Sequence, residues 1–372
     1  MSHGPIVSTY IGLMSGTSVD SVDGALIRID NGDLSLLQTS SIDTPDAIRN
    51  EAIDLIRSDR QSLDRAWRLG NKMAEIFADA AHPLIEAGKG EVDAIGCHGQ
   101  TLRHFPNDPQ SPFSVQVVNG AMLAIRTGLP CITDFRSADM ALGGQGAPLA
   151  SGLHANCFRS PAIDRVIVNI GGIANVTSLP ADSEGSIIGF DTGPGNGLMD
   201  EWAFRHIGTR YDADGAWAAS GICSDTLLAR MLTDSYFTRS APKSTGREYF
   251  NISWLDKHVA PMGELDAADV QATLVELTAT TIANSIGNLF NSKPGVLVCG
   301  GGYRNKMLMK RLAARLGVNT IANTSALGIP PEWVECVTFA WLAHQRMSGL
   351  PGNVPSVTGA RRAAILGALY LP

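Results

Sequence analysis

Charged residues are scarce in this sequence. Only 17% of its 372 residues are Asp, Glu, Lys or Arg, and the formal net charge is −7. No run of Lys and Arg is long enough to neutralise a nucleic-acid backbone, because the densest basic segment, residues 306–315, has the spacing of a solvated helix face. The sequence therefore predicts no nucleic-acid partner.

Cysteine pairs and long apolar runs are also lacking. The six cysteines stand singly, without a CxxC pair or a Cys and His spacing suited to zinc, which predicts mostly buried thiols in a reducing cytosol. No apolar run reaches the length of a membrane span, and residues 1–10 lack the basic and apolar regions of a signal peptide. We therefore expect a cytoplasmic protein with no membrane partner.

Glycine and apolar residues, by contrast, are plentiful. Apolar residues make up 44% of the chain and there are 39 glycines, which is typical of a tightly turned α/β enzyme. A chain of this length can form two domains that share a cleft. We place an N-terminal domain at residues 1–135 and a C-terminal domain at 136–354, with residues 355–372 able to pack back on the first.

Residues 189–196, GFDTGPGN, combine an acid with a glycine-rich turn. An apolar strand ends in Asp191, and a predicted helix follows the turn. Backbone N–H groups around Gly193, Gly195 and Asn196 suit a phosphate, which would place an anion cradle beside the acid. If the turn binds a phosphate in this way, Asp191 is a catalytic base. Alternatively, its carboxylate caps the next helix in an Asx-turn, and the octapeptide alone favours neither interpretation.

A second polar turn lies between two strands predicted within residues 6–30. Its hydroxyl groups at residues 15–18 can donate to phosphate oxygens, and Asp20 or Asp23 can hold a magnesium ion directly or through water. This is not a Walker loop, because the GK[ST] ending is missing and a strand follows where a helix should. The turn predicts a phosphate clamp, with an ordinary hairpin turn as the alternative.

Polar side chains also follow two further predicted strands. His98 and Gln100 come directly after one of them, and ligands gather at the carboxyl ends of strands in α/β sheets, so both are candidate substrate contacts. A structural histidine is the alternative. Arg136 follows the other strand, and its guanidinium suits bidentate recognition of a carboxylate. An ion pair with Asp134 or Asp139 is the alternative role.

Glycine clusters mark two more turns. Residues 165–178 predict a strand, a turn at Gly171 and Gly172, and a second strand, and residues 186–191 add a third. The second half thus repeats the layout of the first, which suggests a nucleotide held between two similar domains. Residues 300–302, three glycines between a strand and a helix, would let a flat ring or a phosphate approach the backbone.

Two polar segments admit more than one interpretation. Residues 243–248 could contact substrate or phosphate, although a solvated loop is the default interpretation. Glu335, at the start of a predicted helix, is either an acid favoured by the helix dipole or a cleft residue.

Together these segments resemble the anhydro-N-acetylmuramic acid kinase family, within the superfamily of sugar kinases and actin. The matching segments are GLMSGTSVDSVDGA (12–25), CHGQT (97–101), DFRSADMALGGQGAPL (134–149), NIGGIANVT (169–177), GFDTGPGN (189–196), PKSTGREYFN (242–251), CGGGYRN (299–305) and PGNVPSVTGA (351–360). One departure is Ser21, which stands where the family usually has glycine. Serine there would strain the turn if the position needs a positive φ.

The resemblance implies an α/β, two-domain, actin-like fold of the duplicated ribonuclease H type, with ATP and Mg²⁺ in a cleft between the domains. The nucleotide contacts that it implies, together with those suggested by the glycine turns, are Gly16, Thr17, Ser18, Val19, Asp20, Ser21, Val22, Asp23, Gly171, Gly172, Gly193, Gly195, Asn196, Gly300, Gly301 and Gly302. The candidate sugar contacts are His98, Gln100, Arg136 and Glu335.

The substrate implied by the resemblance is 1,6-anhydro-N-acetylmuramic acid, whose O6 carries no proton, so water must open the ring. Asp191 would deprotonate a water attacking C1 while O6 takes the γ-phosphoryl group of ATP, giving N-acetylmuramic acid 6-phosphate in peptidoglycan recycling. Arg136 would bind the lactyl carboxylate, and a homodimer is expected. The alternatives are an ordinary hexose or amino-sugar kinase and a non-catalytic, actin-like nucleotide switch.

Overall fold

The computed structural model describes residues 7–16, 18–58, 62–247 and 249–372. Thr17 of the predicted phosphate clamp and Glu248 of the polar segment 243–248 lie outside the described residues.

The strands of the described residues are β1 (Val7–Ser15), β2 (Ser21–Asp30), β3 (Asp33–Asp43), β4 (Ala94–Cys97), β5 (Gln100–Phe105), β6 (Phe113–Val117), β7 (Cys131–Thr133), β8 (Arg165–Ile170), β9 (Ile173–Leu179), β10 (Ile188–Pro194), β11 (Gly295–Cys299), β12 (Ala322–Asn323) and β13 (Ala368–Tyr370). The α-helices of the same residues are α1 (Asp46–Arg57), α2 (Leu63–Ala87), α3 (Gly120–Thr127), α4 (Ser137–Ala141), α5 (Ala150–Cys157), α6 (Gly197–Ile207), α7 (Asp225–Leu232), α8 (Ile252–Val259), α9 (Ala267–Gly287), α10 (Lys306–Leu316), α11 (Val334–Met347) and α12 (Pro355–Thr358).

The chain divides into two compact units. The first contains Met1–Cys157 and Trp333–Pro372, and the second contains Phe158–Glu332. The sequence analysis predicts different domain boundaries, after residues 135 and 354. The segments 136–157 and 333–354 are packed within the first unit, which moves both boundaries.

The sheet of the first unit has the strand order β13-β7-β4-β1-β2-β3. Strands β1, β2 and β3 form an antiparallel meander, while β4 runs parallel to β1 and β7 runs parallel to β4. The C-terminal strand β13 pairs antiparallel with β7, so the end of the chain packs on this unit.

The sheet of the second unit repeats that arrangement with the order β12-β11-β8-β9-β10. Strands β8, β9 and β10 form the antiparallel meander, β11 runs parallel to β8, and β12 runs parallel to β11. Each unit thus has three antiparallel strands, and the parallel strands are added beside the first strand of that meander, β1 in the first unit and β8 in the second. The predicted duplicated α/β fold is confirmed.

Helix α2 shows how the sequence specifies the first unit. The side chain of Ser62 accepts a hydrogen bond from the N–H of Arg65 and caps the helix. Leu69, Met73 and Phe77 recur at helical spacing and are fully buried, or nearly so, in the first unit's core. Burying such side chains contributes about 1.5–3 kcal/mol each, so this stripe anchors α2.

Helix α11 lies directly on the backbone of β1 and β4. A Cβ added at Gly12 would lie 1.8 Å from the carbonyl oxygen of Cys336, and one at Gly96 would lie 2.0 Å from that of Phe339. Only glycine permits so close an approach of helix and strand. These contacts place the segment that carries Glu335 in the first unit.

Helix α9 is buried on almost every side in the second unit. Its carboxylate Glu276 is 1% exposed and pairs with Arg311 and Arg315 of α10, the latter at 2.6 Å. These two arginines therefore do not simply form a solvated helix face, because their guanidinium groups neutralise a buried acid.

The state of the cysteines and the length of the helices match what the composition predicts. All six cysteines are free, and Cys97, Cys131, Cys299 and Cys336 are buried, as predicted for most of them. Among the described residues, none of the helices has the length and apolarity that a bilayer span requires.

Candidate active site

Asp191 lies on β10 and is held by three backbone-mediated contacts. Its N–H donates to the carbonyl of Lys243 (3.1 Å), its carbonyl accepts from the hydroxyl of Tyr236 (2.8 Å), and its Oδ2 accepts from the N–H of Thr245 (2.9 Å). The residue is 8% exposed. Because α6 starts at Gly197 with Asn196 in the N-cap position, Asp191 is not the N-cap residue of that helix.

A bulge in the β9–β10 pairing sets the orientation of this carboxylate. Asp191 pairs with Asn175, but Gly193 pairs with Ala174, so one residue of β10 is left over between them. Bulges re-aim side chains and occur next to active sites. Gly193 has φ +141°, and a Cβ there would lie 2.7 Å from Cε1 of Phe237, so the position requires glycine.

Lys243 and Thr245 contact Asp191, and the interpretation of their segment as a solvated loop is wrong. Lys243 and Ser244 are each only 9% exposed. The Nζ of Lys243 donates to the carbonyl of Tyr236 (3.2 Å) and lies 5.4 Å from the ring centre of Phe190. Burial lowers the pKa of Lys243, assisted by Arg239 and opposed by Asp191.

The hairpin between β8 and β9 is tied to the start of α6. The N–H groups of Gly195 and Asn196 donate to the carbonyls of Gly172 (3.0 Å) and Gly171 (2.7 Å). A Cβ at Gly195 would lie 2.2 Å from the carbonyl oxygen of Gly171. These two N–H groups, expected to be open to a phosphate, are therefore engaged within the protein.

Arg247 adds a cation to this hairpin. A Cβ at Gly172 would lie 2.9 Å from the Nε of Arg247, and one at Gly197 would lie 3.3 Å from it. The Nε is buried and has no hydrogen-bond partner among the described residues. A buried donor of a charged group without a partner is costly, which suits a site that receives an anion. The sequence included Arg247 only within the segment 243–248 and did not single it out, because the composition of that segment gives no sign of burial.

The three glycines after β11 have different surroundings. Gly300 has φ +78°, and a Cβ there would lie 2.3 Å from Oδ1 of Asn169, while one at Gly302 would lie 2.3 Å from Cγ2 of Ile170. A Cβ at Gly301 would meet no atom within 4 Å. Gly301 therefore presents open backbone to a ligand, whereas its neighbours serve packing.

The hairpin between β1 and β2 is supported from within the first unit. The hydroxyl of Ser15 donates to Oε1 of Gln100 (2.8 Å), and Nε2 of Gln100 donates to the carbonyl of Gly16 (3.3 Å). Gln100 is fully buried, so the structure places this predicted sugar contact beneath the hairpin. Among the described residues other than its chain neighbours, a Cβ at Gly16 would meet only the hydroxyl of Ser18, at 3.9 Å.

Ser21 does not have a positive φ, so the strain that such a φ would cause is absent, and Val19 has the left-handed conformation instead. Ser21 begins β2, and its hydroxyl donates to Asp23 (3.1 Å). Val19 has φ +55°, its side chain is fully buried, and its N–H donates to the carbonyl of Gly16 (3.1 Å). Val22, the next predicted contact, is also buried.

The two acids of this hairpin already have partners. Asp20 pairs with Arg49 at 3.0 Å, and Asp23 also accepts from the hydroxyl of Ser41 at 2.6 Å. Within the described part of the chain, no three His, Cys, Asp or Glu side chains are grouped as metal ligands. Magnesium needs only one or two carboxylates when phosphates supply other ligands, so the hairpin fits a metal held mainly by nucleotide.

The structure brings His98 and Arg136 together in the first unit. Arg136 donates to Nε2 of His98 through Nη2 (2.9 Å), and through Nη1 to the carbonyl of Gly146 (2.5 Å). Burial lowers the pKa of His98 well below its usual value, and the charge of Arg136 adds to the effect. His98 is thus neutral and accepts from the guanidinium. Glu335 lies in the first turn of α11 and is partly buried.

Two units of one topology, with glycine turns at strand ends and a fixed carboxylate on β10, define a member of the superfamily of sugar kinases and actin. The family model "Anhydro-N-acetylmuramic acid kinase" matches residues 8–372. The chain belongs to this family. The predicted family and the predicted enzyme class, a phosphotransferase, are both confirmed.

Relatives cover almost the entire chain. An anhydro-N-acetylmuramic acid kinase of Shewanella pealeana is 46% identical over 365 residues, which is 97% of this chain and 98% of the relative. One of Coxiella burnetii is 45% identical, covering 97% of each chain. A solved structure, (R)-2-hydroxyglutaryl-CoA dehydratase component A of Acidaminococcus fermentans, covers 92% of this chain and 99% of its own, with 11% identity and a TM-score of 0.48. That likeness is too distant to assign a function.

Proposed function

We propose that this protein uses ATP to convert 1,6-anhydro-N-acetylmuramic acid into N-acetylmuramic acid 6-phosphate, opening the bridged ring with water. The observation that carries the proposal is Asp191, a carboxylate fixed by Tyr236, Lys243 and Thr245 on a bulged strand. The family match and the names of the relatives support the substrate.

The role of Asp191 follows from the chemistry of a bridged sugar. O6 of the substrate is bonded to C1 and carries no proton, so a base has nothing to remove there. Asp191 instead takes a proton from a water whose oxygen bonds to C1, and the C1–O6 bond breaks. When bound, ATP supplies the γ-phosphoryl group that O6 accepts, which leaves ADP.

We assign nucleotide contacts to the glycines whose Cα atoms face open space. Apart from contacts with its chain neighbours, a Cβ added at Gly16, Gly171 or Gly301 would lie no closer than 3.6 Å to an atom of another described residue. Arg247, whose buried Nε has no hydrogen-bond partner in the part of the chain that the structure describes, is the cation beside the β8–β9 hairpin. Mg²⁺ would be held mainly by phosphate oxygens, with Asp20 or Asp23 as its protein contact.

We assign the lactyl carboxylate of the sugar to Arg136, whose guanidinium is oriented by His98 and Gly146. A guanidinium held by two partners loses little further freedom on binding a carboxylate. Glu335 and His98 are proposed sugar contacts. Homodimerisation and a cytoplasmic location stay predictions, and light scattering of the purified protein tests the first.

The acceptor sugar tests the proposal directly. We expect phosphate transfer from ATP to 1,6-anhydro-N-acetylmuramic acid and not to the open-ring sugar. Transfer to the open sugar alone would establish an ordinary amino-sugar kinase. An ATP complex that phosphorylates neither sugar but changes its oligomeric state would establish a nucleotide switch.

Alanine at Gly301 is expected to weaken ATP binding without unfolding the protein. The added methyl group occupies open space where the nucleotide would approach, so the Kd for ATP should rise about tenfold. The free energy of unfolding should change by less than about 0.5 kcal/mol. Calorimetric titration with ATP and thermal unfolding measure the two effects.

Gly302→Ala is the matched control for this prediction. Its methyl group would lie 2.3 Å from Ile170, so it should destabilise the second unit by about 1–3 kcal/mol. Equal ATP affinity in Gly301→Ala and the wild-type protein would contradict the assignment of Gly301.

A further inference from the structure

Asp139 is a fully buried carboxylate on α4. Its Oδ2 accepts from the N–H of Gly146 (2.8 Å), and its Oδ1 accepts from Nδ2 of Asn353 (2.7 Å) and the hydroxyl of Thr358 (2.7 Å). A buried carboxylate needs donors around it, and here one donor comes from the loop that follows α4 and two come from a distant segment. The carboxylate therefore joins the loop after α4 to residues 353–358.

Gly146 links Asp139 to Arg136 through its own backbone. Its N–H donates to Asp139, while its carbonyl accepts from Nη1 of Arg136. Gly146 has φ +65°, and a Cβ there would lie 2.9 Å from Cγ of Met140 and 3.3 Å from Cβ of Arg136. The glycine is thus held on both sides, and no other residue fits without strain.

Further hydrogen bonds fasten the same loop to the C-terminal segment. The N–H of Gln145 donates to the carbonyl of Thr358 (2.8 Å), and the N–H of Arg361 donates to that of Leu142 (3.0 Å). Within the C-terminal segment, Oδ1 of Asn353 accepts from the N–H of Ala364 (2.7 Å), which orients the side chain that donates to Asp139. The loop is therefore fixed at several points around the carbonyl that holds Arg136.

We propose that Asp139 is a positioning residue that orients Arg136 for the carboxylate of the substrate. The inference rests on the proposed function, since it takes Arg136 as the group that binds that carboxylate. Through Gly146, Asp139 sets the direction of the guanidinium, while His98 holds its other side. Asp139 thereby controls the preference for a sugar that carries a carboxylate.

The test compares the binding of two sugars to the full-length protein. 1,6-Anhydro-N-acetylmuramic acid carries the lactyl carboxylate, and 1,6-anhydro-N-acetylglucosamine has the same bicyclic ring without it. Calorimetric titration gives a Kd for each, and their ratio is the carboxylate preference. We expect Arg136→Gln to abolish the preference and Asp139→Asn to lower it about tenfold, because displacement of a positioned group weakens its contacts. The Kd of the sugar without the carboxylate should stay within about threefold.

A double variant separates positioning from general destabilisation. If Asp139 acts through Arg136, Asp139→Asn should not lower the preference further in the Arg136→Gln background. Asp212→Asn is the matched control, because Asp212 is a buried carboxylate of the second unit that accepts from the N–H groups of Trp217 and Ala218. The Asp212→Asn variant should be less stable than the wild-type protein and should keep the carboxylate preference.

Thr358→Val provides a milder variant, since it removes one donor to Asp139 and keeps the charge. It should lower the preference by about threefold, and it decides the question if Asp139→Asn does not fold. A preference unchanged in Arg136→Gln would refute the proposed role of Arg136. A preference lost in Arg136→Gln but kept in both Asp139→Asn and Thr358→Val would overturn the positioning role alone.

Discussion

Replacing Asp191 with Asn is expected to lower kcat by about 10²–10⁴-fold, the usual contribution of a general base. The amide oxygen of Asn can still accept from the N–H of Thr245, and the contacts of the main chain with Tyr236 and Lys243 do not involve the side chain. The fold and the Kd for ATP should therefore stay unchanged. Steady-state kinetics and calorimetric titration with ATP measure both.

Asp266→Asn is the matched control for the loss of a carboxylate. Asp266 caps α9 by accepting from the N–H of Ala268 (2.7 Å), and Asn is an equally good cap. Its kcat should equal that of the wild-type protein. If Asp191→Asn kept kcat within about threefold, Asp191 would not be the base.

Replacing Gly12 with Ala is expected to produce the largest loss of stability, about 3 kcal/mol. The new Cβ would lie 1.8 Å from the carbonyl oxygen of Cys336 and 2.5 Å from the backbone nitrogen of Ala340. Neither atom belongs to a flexible side chain, so α11 must move away from β1. Because Trp341 is buried on this helix, its fluorescence during thermal unfolding reports the change.

Gly70→Ala is the control within the same unit. A Cβ at Gly70, inside α2, would meet the backbone nitrogen of Val118 at 3.6 Å, which is an ordinary contact. Alanine also favours a helix over glycine by about 1 kcal/mol, so this variant should be equally or more stable. Equal stability of Gly12→Ala and the wild-type protein would show that α11 does not rest on β1 as described.

Local patterns predicted the elements whose signals are self-contained. Helix α2 is specified locally, because its cap and its apolar stripe lie within one segment. The strands β8 and β9 lie on either side of the turn predicted at Gly171 and Gly172. The repeated layout of the two halves was visible for the same reason, since each meander is formed by strands adjacent in sequence.

Features that depend on distant contacts were not predictable. The burial of Lys243 and Ser244 follows from their packing around Asp191, about 50 residues earlier in the chain. Arg311 and Arg315 have the spacing of a solvated face, yet Glu276 on another helix pairs with both. A polar segment carries no local mark of the partner that buries it.

The glycine motifs were recognisable, but their separate roles were not. Gly195 and Gly302 permit close packing, whereas Gly301 leaves open space beside its Cα atom. Sequence alone does not distinguish these uses, because glycine lacks a side chain in both cases. Likewise the left-handed residue of the first hairpin is Val19, while the sequence directed attention to Ser21.

Turnover in isotopically labelled water tests the central claim most directly. If Asp191 activates water against C1, the heavy oxygen must appear at the anomeric position of the 6-phosphorylated product, and the bridging oxygen of its phosphate ester must stay unlabelled. Finished product held in labelled water for the same time corrects for exchange. Product without excess label at C1, or with label in its phosphate group, would contradict ring opening by water.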